Sequence, residues 1–116
     1  MQLMNAGVAA AIPPLYANEK AAGGEATDPL LPVKFFDPSG SWTWYVMEGE
    51  PIEGTQDWLF FGLVDGWDME LGYFRLSDLT TYTGRFGLGI ERDLHWSAKT
   101  LSEVQGSAPA PVEVAS

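Results

Sequence analysis

The chain contains no cysteine, one histidine and six lysine or arginine residues, and each shortage removes a class of function. Without cysteine there is no disulfide framework and no thiol chemistry within the chain. With His95 as the sole histidine, the usual ligands of zinc are also missing. The 16 acidic residues give a net charge of −10, so nucleic acid and anionic lipid should be repelled. Such a surface should be attracted to basic patches, including those of proteins that hold nucleic acid.

Long apolar segments are missing as well. The apolar run Gly7–Ile12 follows no lysine or arginine and is too short for the core of a signal peptide. No segment approaches the roughly 20 apolar residues that a membrane-spanning helix needs. We therefore expect a soluble, cytoplasmic protein.

The chain is rich in residues that form strands. Its 116 residues and 46% hydrophobic content suit one compact domain. We predict a single globular domain over residues 1–104 and a disordered tail over residues 105–116. Two runs rich in aromatic residues, separated by the turn Asp65–Glu70, predict a β-hairpin with an acidic tip. The strands are predicted at Val33–Phe36, Trp42–Glu48, Trp58–Val64, Leu71–Leu76 and Ile90–Trp96. For the last of these segments a short helix is the alternative, because it would also fit Ile90 and Leu94.

Helices are predicted to be few and short. The Ala-rich segment Leu3–Ile12 favours a short helix with Asn5 as its cap. Ser77 is expected to cap one helical turn at Asp78–Tyr82, whereas Ala17–Thr27 has no large apolar residue and is expected to be a loop. Together these elements predict an α+β fold, with a four- to five-strand mainly antiparallel sheet and one or two short helices.

The distribution of charge is the most informative feature of the sequence. No lysine or arginine lies between Lys34 and Arg75, and the interval holds eight acids. Carboxylates held on a stiff sheet can imitate the phosphates of DNA and occupy a basic groove. The alternative is a solvated acidic face that serves solubility. The eight acids are Asp37, Glu48, Glu50, Glu53, Asp57, Asp65, Asp68 and Glu70.

A partner-binding surface can be predicted from seven of these acids and one tryptophan. Trp67 stands among acids in the turn, and a tryptophan in such a position is a candidate hot spot for a protein partner. The alternative is that its ring folds back over the hairpin. The predicted surface consists of Glu48, Glu50, Glu53, Asp57, Asp65, Trp67, Asp68 and Glu70.

The sequence gives weaker indications of chemistry. Asp65, Asp68 and Glu70 are oxygen donors for a hard cation, although their spacing is not that of an EF-hand loop. His95, beside Asp93, is a candidate general base, but a lone histidine is more often an ordinary surface residue. We therefore assign no catalytic, cofactor-binding or metal-binding residue and predict that the protein is not an enzyme. A small cation-dependent enzyme remains an alternative.

Several short motifs, taken together, resemble one family. They are Pro13–Tyr16, Val33–Phe36, Trp42–Tyr45, Phe60–Val64, Glu70–Phe74 and Ile90–Leu94. The chain resembles domain-of-unknown-function family 2958, whose members are small bacterial proteins often found on plasmids, phages and integrative elements.

The resemblance implies a mobile-element setting but no catalytic residue. Small acidic proteins in that setting are often inhibitors of host defence. We therefore expect a protein that binds and inhibits a CRISPR effector or a restriction enzyme by nucleic-acid mimicry, without binding nucleic acid or a membrane itself. The alternative is an accessory or structural subunit of a plasmid or conjugative-element complex.

Overall fold

The computed structural model describes residues 2–21, 28–84 and 87–106. These residues form four short helices and seven strands. The helices are α1 (Ala6–Ala11), α2 (Ala17–Ala21), α3 (Leu76–Thr80) and α4 (Leu101–Gln105). The strands are β1 (Leu30–Leu31), β2 (Val33–Phe36), β3 (Thr43–Pro51), β4 (Trp58–Asp65), β5 (Met69–Arg75), β6 (Glu91–Arg92) and β7 (Lys99–Thr100).

The main sheet has five antiparallel strands in the order β5-β4-β3-β2-β6. Strands β2 to β5 are neighbours in sequence and are connected as successive hairpins, which is the simplest path for an antiparallel sheet. A second, two-stranded sheet pairs β1 with β7. The α+β class predicted from the sequence is therefore confirmed, although the described residues contain four helices, where one or two were expected.

Both faces of the main sheet are covered, but to different extents. One face holds the larger core, in which Phe35 and Phe60 are fully buried beneath α1, α3 and the segment around Ile90. The opposite face holds a smaller core, built around Leu63 and covered by β1 and α4. Alternation along β3 and β4 produces these two faces, because successive side chains of a strand point to opposite sides.

A β-bulge interrupts the pairing of β3 with β4 between Val46 and Glu48. Gly62 lies opposite this region, and a Cβ at this position would overlap the carbonyl oxygen of Tyr45. Glycine is therefore required by the close approach of two backbones.

Local signals decide where the helices begin. The Asn5 side chain accepts a hydrogen bond from the backbone amide of Val8 at 2.9 Å, so that Asn5 caps α1 as predicted. The prediction for Ser77 was wrong. Helix α3 begins two residues earlier, with Arg75 as its N-cap residue, because the Asp78 carboxylate accepts the Arg75 amide at 2.9 Å. None of the helices in the described part of the chain is long and apolar enough to cross a membrane.

Other predicted element boundaries differ from the observed ones, in one case because of a contact with a distant part of the chain. Within Ile90–Trp96 only Glu91 and Arg92 pair with β2, because the chain then turns so that the Trp96 indole can donate to the Leu31 carbonyl at 2.7 Å. The predicted loop Ala17–Thr27 begins with α2, and residues 22–27 lie outside the described residues. Of the predicted tail, Gln105 is the last residue of α4, and residues 107–116 lie outside the described residues.

Candidate functional site: an acidic tip with an exposed tryptophan

The hairpin of β4 and β5 ends in a tight turn. Asp65 pairs with Met69 at the end of the ladder, so only Gly66, Trp67 and Asp68 lie between the strands. The Gly66 amide donates to the Asp68 carbonyl at 3.0 Å and closes the turn. The turn is thus shorter than the predicted segment Asp65–Glu70, whose first and last residues belong to the strands.

Trp67 projects from this turn and is 91% exposed. Among the described residues its ring nevertheless has one aromatic neighbour, the edge of Trp42, at a centroid distance of 6.4 Å and an angle of 89°. The indole therefore does not fold back over the hairpin, which was the alternative left open by the sequence. An exposed indole held at one edge is available to a protein partner.

Behind Trp67 an aromatic column leads into the core. Trp42 lies 6.0 Å from Trp44, and Trp44 lies 5.9 Å from Tyr82 in an edge-to-face contact. Gly66 makes the outer part of this column possible, because a Cβ there would overlap the Trp42 ring. We define the aromatic column as Trp67, Trp42, Trp44 and Tyr82.

The inner end of the aromatic column is fixed to a buried carboxylate. The Tyr82 hydroxyl donates to Asp37 Oδ2 at 2.8 Å, and Asp37 is only 4% exposed. The other oxygen of Asp37 accepts the amide and the hydroxyl of Ser39, each at 2.9 Å. The bond to Asp37 raises the pKa of Tyr82, because the ionised phenol could not donate it. This link between Asp37 and Tyr82 was not predicted from the sequence.

The acids around Trp67 are not neutralised by the described residues. Asp68 and Glu70 are exposed and Asp65 is half-buried. Residues 2–21, 28–84 and 87–106 contain one ion pair, Lys34 with Asp93 at 3.5 Å, which lies elsewhere. Among the same residues, no side-chain hydrogen bond engages the three carboxylates. We define Asp65, Trp67, Asp68 and Glu70 as the acidic tip.

Glu48 lies inside the molecule and is removed from the predicted surface. It is 5% exposed. Its oxygens accept the Tyr16 amide at 2.9 Å, the Asn18 amide at 2.9 Å and the Asn18 side-chain amide at 2.7 Å. Tyr16 has a φ of 68°, a left-handed conformation that costs free energy in a non-glycine residue. The carboxylate therefore fixes the segment after α1 onto the sheet and is not available to a partner.

Asp57 is also engaged within the fold. Its two oxygens accept the Ser77 hydroxyl at 2.7 Å and the Ser77 amide at 2.9 Å, and Oδ1 also accepts the Trp58 amide at 2.9 Å. The Ser77 hydroxyl is the largest cause that lowers the pKa of Asp57, because these donors favour the charged carboxylate. Asp57 joins the β3–β4 loop to α3.

The remaining predicted acids, Glu50 and Glu53, are exposed at the other end of the sheet. Since β4 runs for eight residues between the two hairpin turns, the two ends are separated by about 23 Å. The predicted set therefore does not form one row. It divides into the acidic tip, two exposed acids at the opposite end, and two carboxylates bound within the fold.

The residues considered as a general base or as metal ligands do not come together in a site. His95 is exposed, and its backbone amide donates to Asp93 Oδ1 at 2.9 Å. In the part of the chain that the structure describes, no three His, Asp or Glu side chains gather as a metal-binding group. The neighbouring Trp96 packs 5.4 Å from the Tyr45 ring and lies near the Lys34 and Lys99 ammonium groups, so it stabilises the smaller core.

The fold and the tip define a class of protein: a small acidic α+β domain whose hairpin presents an aromatic side chain among carboxylates. The chain belongs to the family described as "Protein of unknown function (DUF2958)", whose model matches residues 9–110. This membership confirms the resemblance seen in the sequence motifs. No curated protein and no solved structure matches the chain.

Proposed function

We propose that this protein binds a basic surface of a protein partner through its acidic tip. The partner we propose is a nucleic-acid-handling defence complex of the host, a CRISPR effector or a restriction enzyme. By occupying the basic groove of such a complex, the tip would exclude nucleic acid and inhibit the complex. The proposal includes a cytoplasmic location and a mobile-element setting.

One observation carries this proposal: Trp67 is 91% exposed beside three carboxylates that the described residues leave without an ion pair. A large exposed aromatic ring buries much apolar area when a partner covers it, and tryptophan is enriched among hot spots. Exposed charges of one sign accelerate the encounter with a surface of opposite sign. The tip therefore combines steering by charge with anchoring by an aromatic side chain.

The tip is also supported from within the fold. Trp42 supports the Trp67 ring from one side, and the aromatic column extends from Trp42 to Tyr82 and the buried Asp37. A side chain that is already oriented loses less conformational entropy on binding. The loop Ile52–Asp57 at the opposite end differs, because it presents the exposed Glu53 and contains no aromatic residue.

The experiment uses the complete chain as bait in a host lysate, followed by mass spectrometry of the captured proteins. The captured complex is then purified, and displacement of a labelled duplex from it is measured by fluorescence anisotropy. The variant D65K/D68K/E70K should lose displacement, and the activity of the wild type should weaken as salt increases, because exposed charge contacts are screened. Equal displacement by the variant, or displacement independent of salt, would refute the proposal.

Two alternatives are separated by simple observations. An accessory subunit of a conjugation or replication complex should capture a partner encoded by the same element, not by the host. A small cation-dependent enzyme should release or absorb heat with Mg²⁺, Mn²⁺ or Ca²⁺ in calorimetry. If the chain itself bound duplex DNA tightly at physiological salt, this would contradict the argument that its negative charge imitates and repels nucleic acid.

A further inference from the structure

The two edges of the main sheet differ in the length of their outermost strands. At one edge β6 contains two residues, Glu91 and Arg92. At the other edge β5 contains seven residues, Met69–Arg75, and no described strand pairs with its outer side. Short edge strands protect a protein against pairing with other chains, whereas a long one offers a row of backbone groups to another strand. β5 contains no proline and no lysine that would block such pairing.

Strand β5 also exposes two largely apolar side chains on one face of the sheet. Leu71 is 45% exposed and Tyr73 is 53% exposed, and both face the same side as Leu63 and Phe61 of β4. The Phe61 and Tyr73 rings are 4.9 Å apart, so the exposed ring continues the apolar surface of the sheet. The small two-stranded sheet and α4 cover this face only over the smaller core. At one end the strip is touched by the segment after α1, because the Tyr16 hydroxyl lies 3.2 Å from the Tyr73 hydroxyl. Leu71 and about half of Tyr73 remain exposed along β5.

Two further features define where a strand is added at this edge. The Arg75 amide is already bonded to Asp78, which ends the available edge. At the other end, Asp68 and Glu70 are exposed and negative, so a strand that lies here is favoured if it carries positive charge.

We infer that β5 is a docking strand, which adds an extended basic segment of a protein partner to the sheet as a further antiparallel or parallel strand. Alternate apolar side chains of the segment cover Leu71 and Tyr73, and its lysine or arginine side chains lie beside Asp68 and Glu70. Main-chain hydrogen bonds supply affinity in this mode of recognition, and the side-chain strip supplies register. The inference rests on the proposed function, because the segment belongs to the partner that the acidic tip attracts.

The first test measures the free protein. Hydrogen exchange of the full chain, read residue by residue by NMR, should show fast exchange for the outward amides of β5. Protection of these amides in the monomer would mean that another part of this chain already covers the edge. Self-association in analytical ultracentrifugation that is lost on changing Leu71 would mean that a second copy covers it. Either result overturns the inference of a partner segment.

The second test uses a synthetic peptide of alternating lysine and valine as the probe. A peptide of the same sequence with N-methylated backbone amides keeps the charges and side chains but cannot donate main-chain hydrogen bonds. We expect the unmodified peptide to bind and to slow exchange within residues 69–74, and methylation to weaken binding by at least about tenfold. Absence of binding by the unmodified peptide, or equal binding of both peptides, overturns strand pairing. Equal binding leaves the charge-based proposed function standing.

A pair of matched protein variants completes the test. Leu71 and Leu88 are each 45% exposed, but only Leu71 lies on β5. Leu71→Ser should weaken the peptide about fivefold by removing apolar area, and Leu88→Ser should leave the affinity unchanged. Equal effects of the two substitutions would overturn the inference. If the peptide pairs with β5 but D68K/E70K does not change its affinity, strand pairing stands and the proposed role of the acidic tip fails.

Discussion

The two ends of the main sheet both carry acids, yet the acids serve different purposes. Near the β3–β4 loop, Glu48 and Asp57 accept hydrogen bonds from Tyr16, Asn18, Trp58 and Ser77 and connect distant segments. At the acidic tip, Asp68 and Glu70 are exposed around Trp67, and their carboxylates form no hydrogen bond or ion pair with the described residues. A count of acids in a sequence therefore says little about surface charge until their partners are known.

The two groups of carboxylates also differ in whether they serve stability or recognition. Carboxylates that accept several backbone donors stabilise the fold, because loss of the acceptor leaves buried donors unsatisfied. Carboxylates at an exposed turn contribute little to stability and are free to serve recognition. Substitutions of the bound carboxylates near the β3–β4 loop should therefore reduce stability. Substitutions at the acidic tip should instead reduce partner binding and leave stability almost unchanged.

The largest effect on stability should come from Glu48→Leu. This change removes the acceptor for Tyr16 and Asn18 in a site that is 5% exposed, and we expect the free energy of unfolding to fall by about 3–5 kcal/mol. Urea denaturation followed by tryptophan fluorescence measures it. Glu50→Leu, two residues further along β3 and exposed, is the control and should change stability by less than about 0.5 kcal/mol. Similar effects of the two substitutions would show that Glu48 does not hold the segment after α1.

Gly66→Ala should have the next largest effect, because the new methyl group overlaps the Trp42 ring and forces it to move. We expect a loss of about 1–2 kcal/mol and an altered near-ultraviolet signal from the aromatic column. Gly72→Ala is the matched control, since nothing lies within 4 Å of its added Cβ. A silent Gly66→Ala variant would mean that the tip is not supported by the aromatic column.

Asp57→Asn should reduce stability in a pH-dependent manner. The pKa of Asp57 is lowered in the folded state, chiefly by the Ser77 hydroxyl, so its charge stabilises the fold above the unfolded value of 3.8. This contribution is lost as the pH falls through the lowered folded pKa. Thermal unfolding should therefore show a difference between wild type and variant at neutral pH that vanishes in acid. A difference that is constant across this range would contradict the assignment.

Trp67→Ala should have the smallest effect on stability and a large effect on binding. The ring is 91% exposed and touches one aromatic neighbour, so we expect a change of less than about 0.5 kcal/mol in unfolding. Affinity for the captured partner should fall at least about tenfold. A variant that binds as well as the wild type would remove Trp67 from the interface.

The fold class, the two faces of the sheet and the hairpin were predictable because they depend on local alternation and turn residues. The roles of Glu48 and Asp57 were not, since their partners lie far along the chain at Tyr16, Asn18 and Ser77. The bulge after Val46 also changes the alternation just before Glu48. Strand alternation gives no information on which carboxylate a distant backbone amide will reach.

The candidate site was predictable only in part. The acids and the tryptophan of the turn could be identified from their neighbours in sequence, and Asp65, Trp67, Asp68 and Glu70 do lie together. The support by Trp42 and Tyr82 depends on the pairing of β3 with β4 and on a segment that returns after α3. The unequal edges of the sheet likewise became visible only with the strand order.

The most direct test of the central claim compares two reversals of equal charge. D68K/E70K changes the acidic tip, and E50K/E53K changes the opposite end by the same amount. Displacement of a labelled duplex from the captured complex is measured for both. We predict that the half-maximal concentration rises at least about tenfold for the tip variant and stays within about twofold for the other. Equal shifts would show that net charge, and not the tip around Trp67, governs binding.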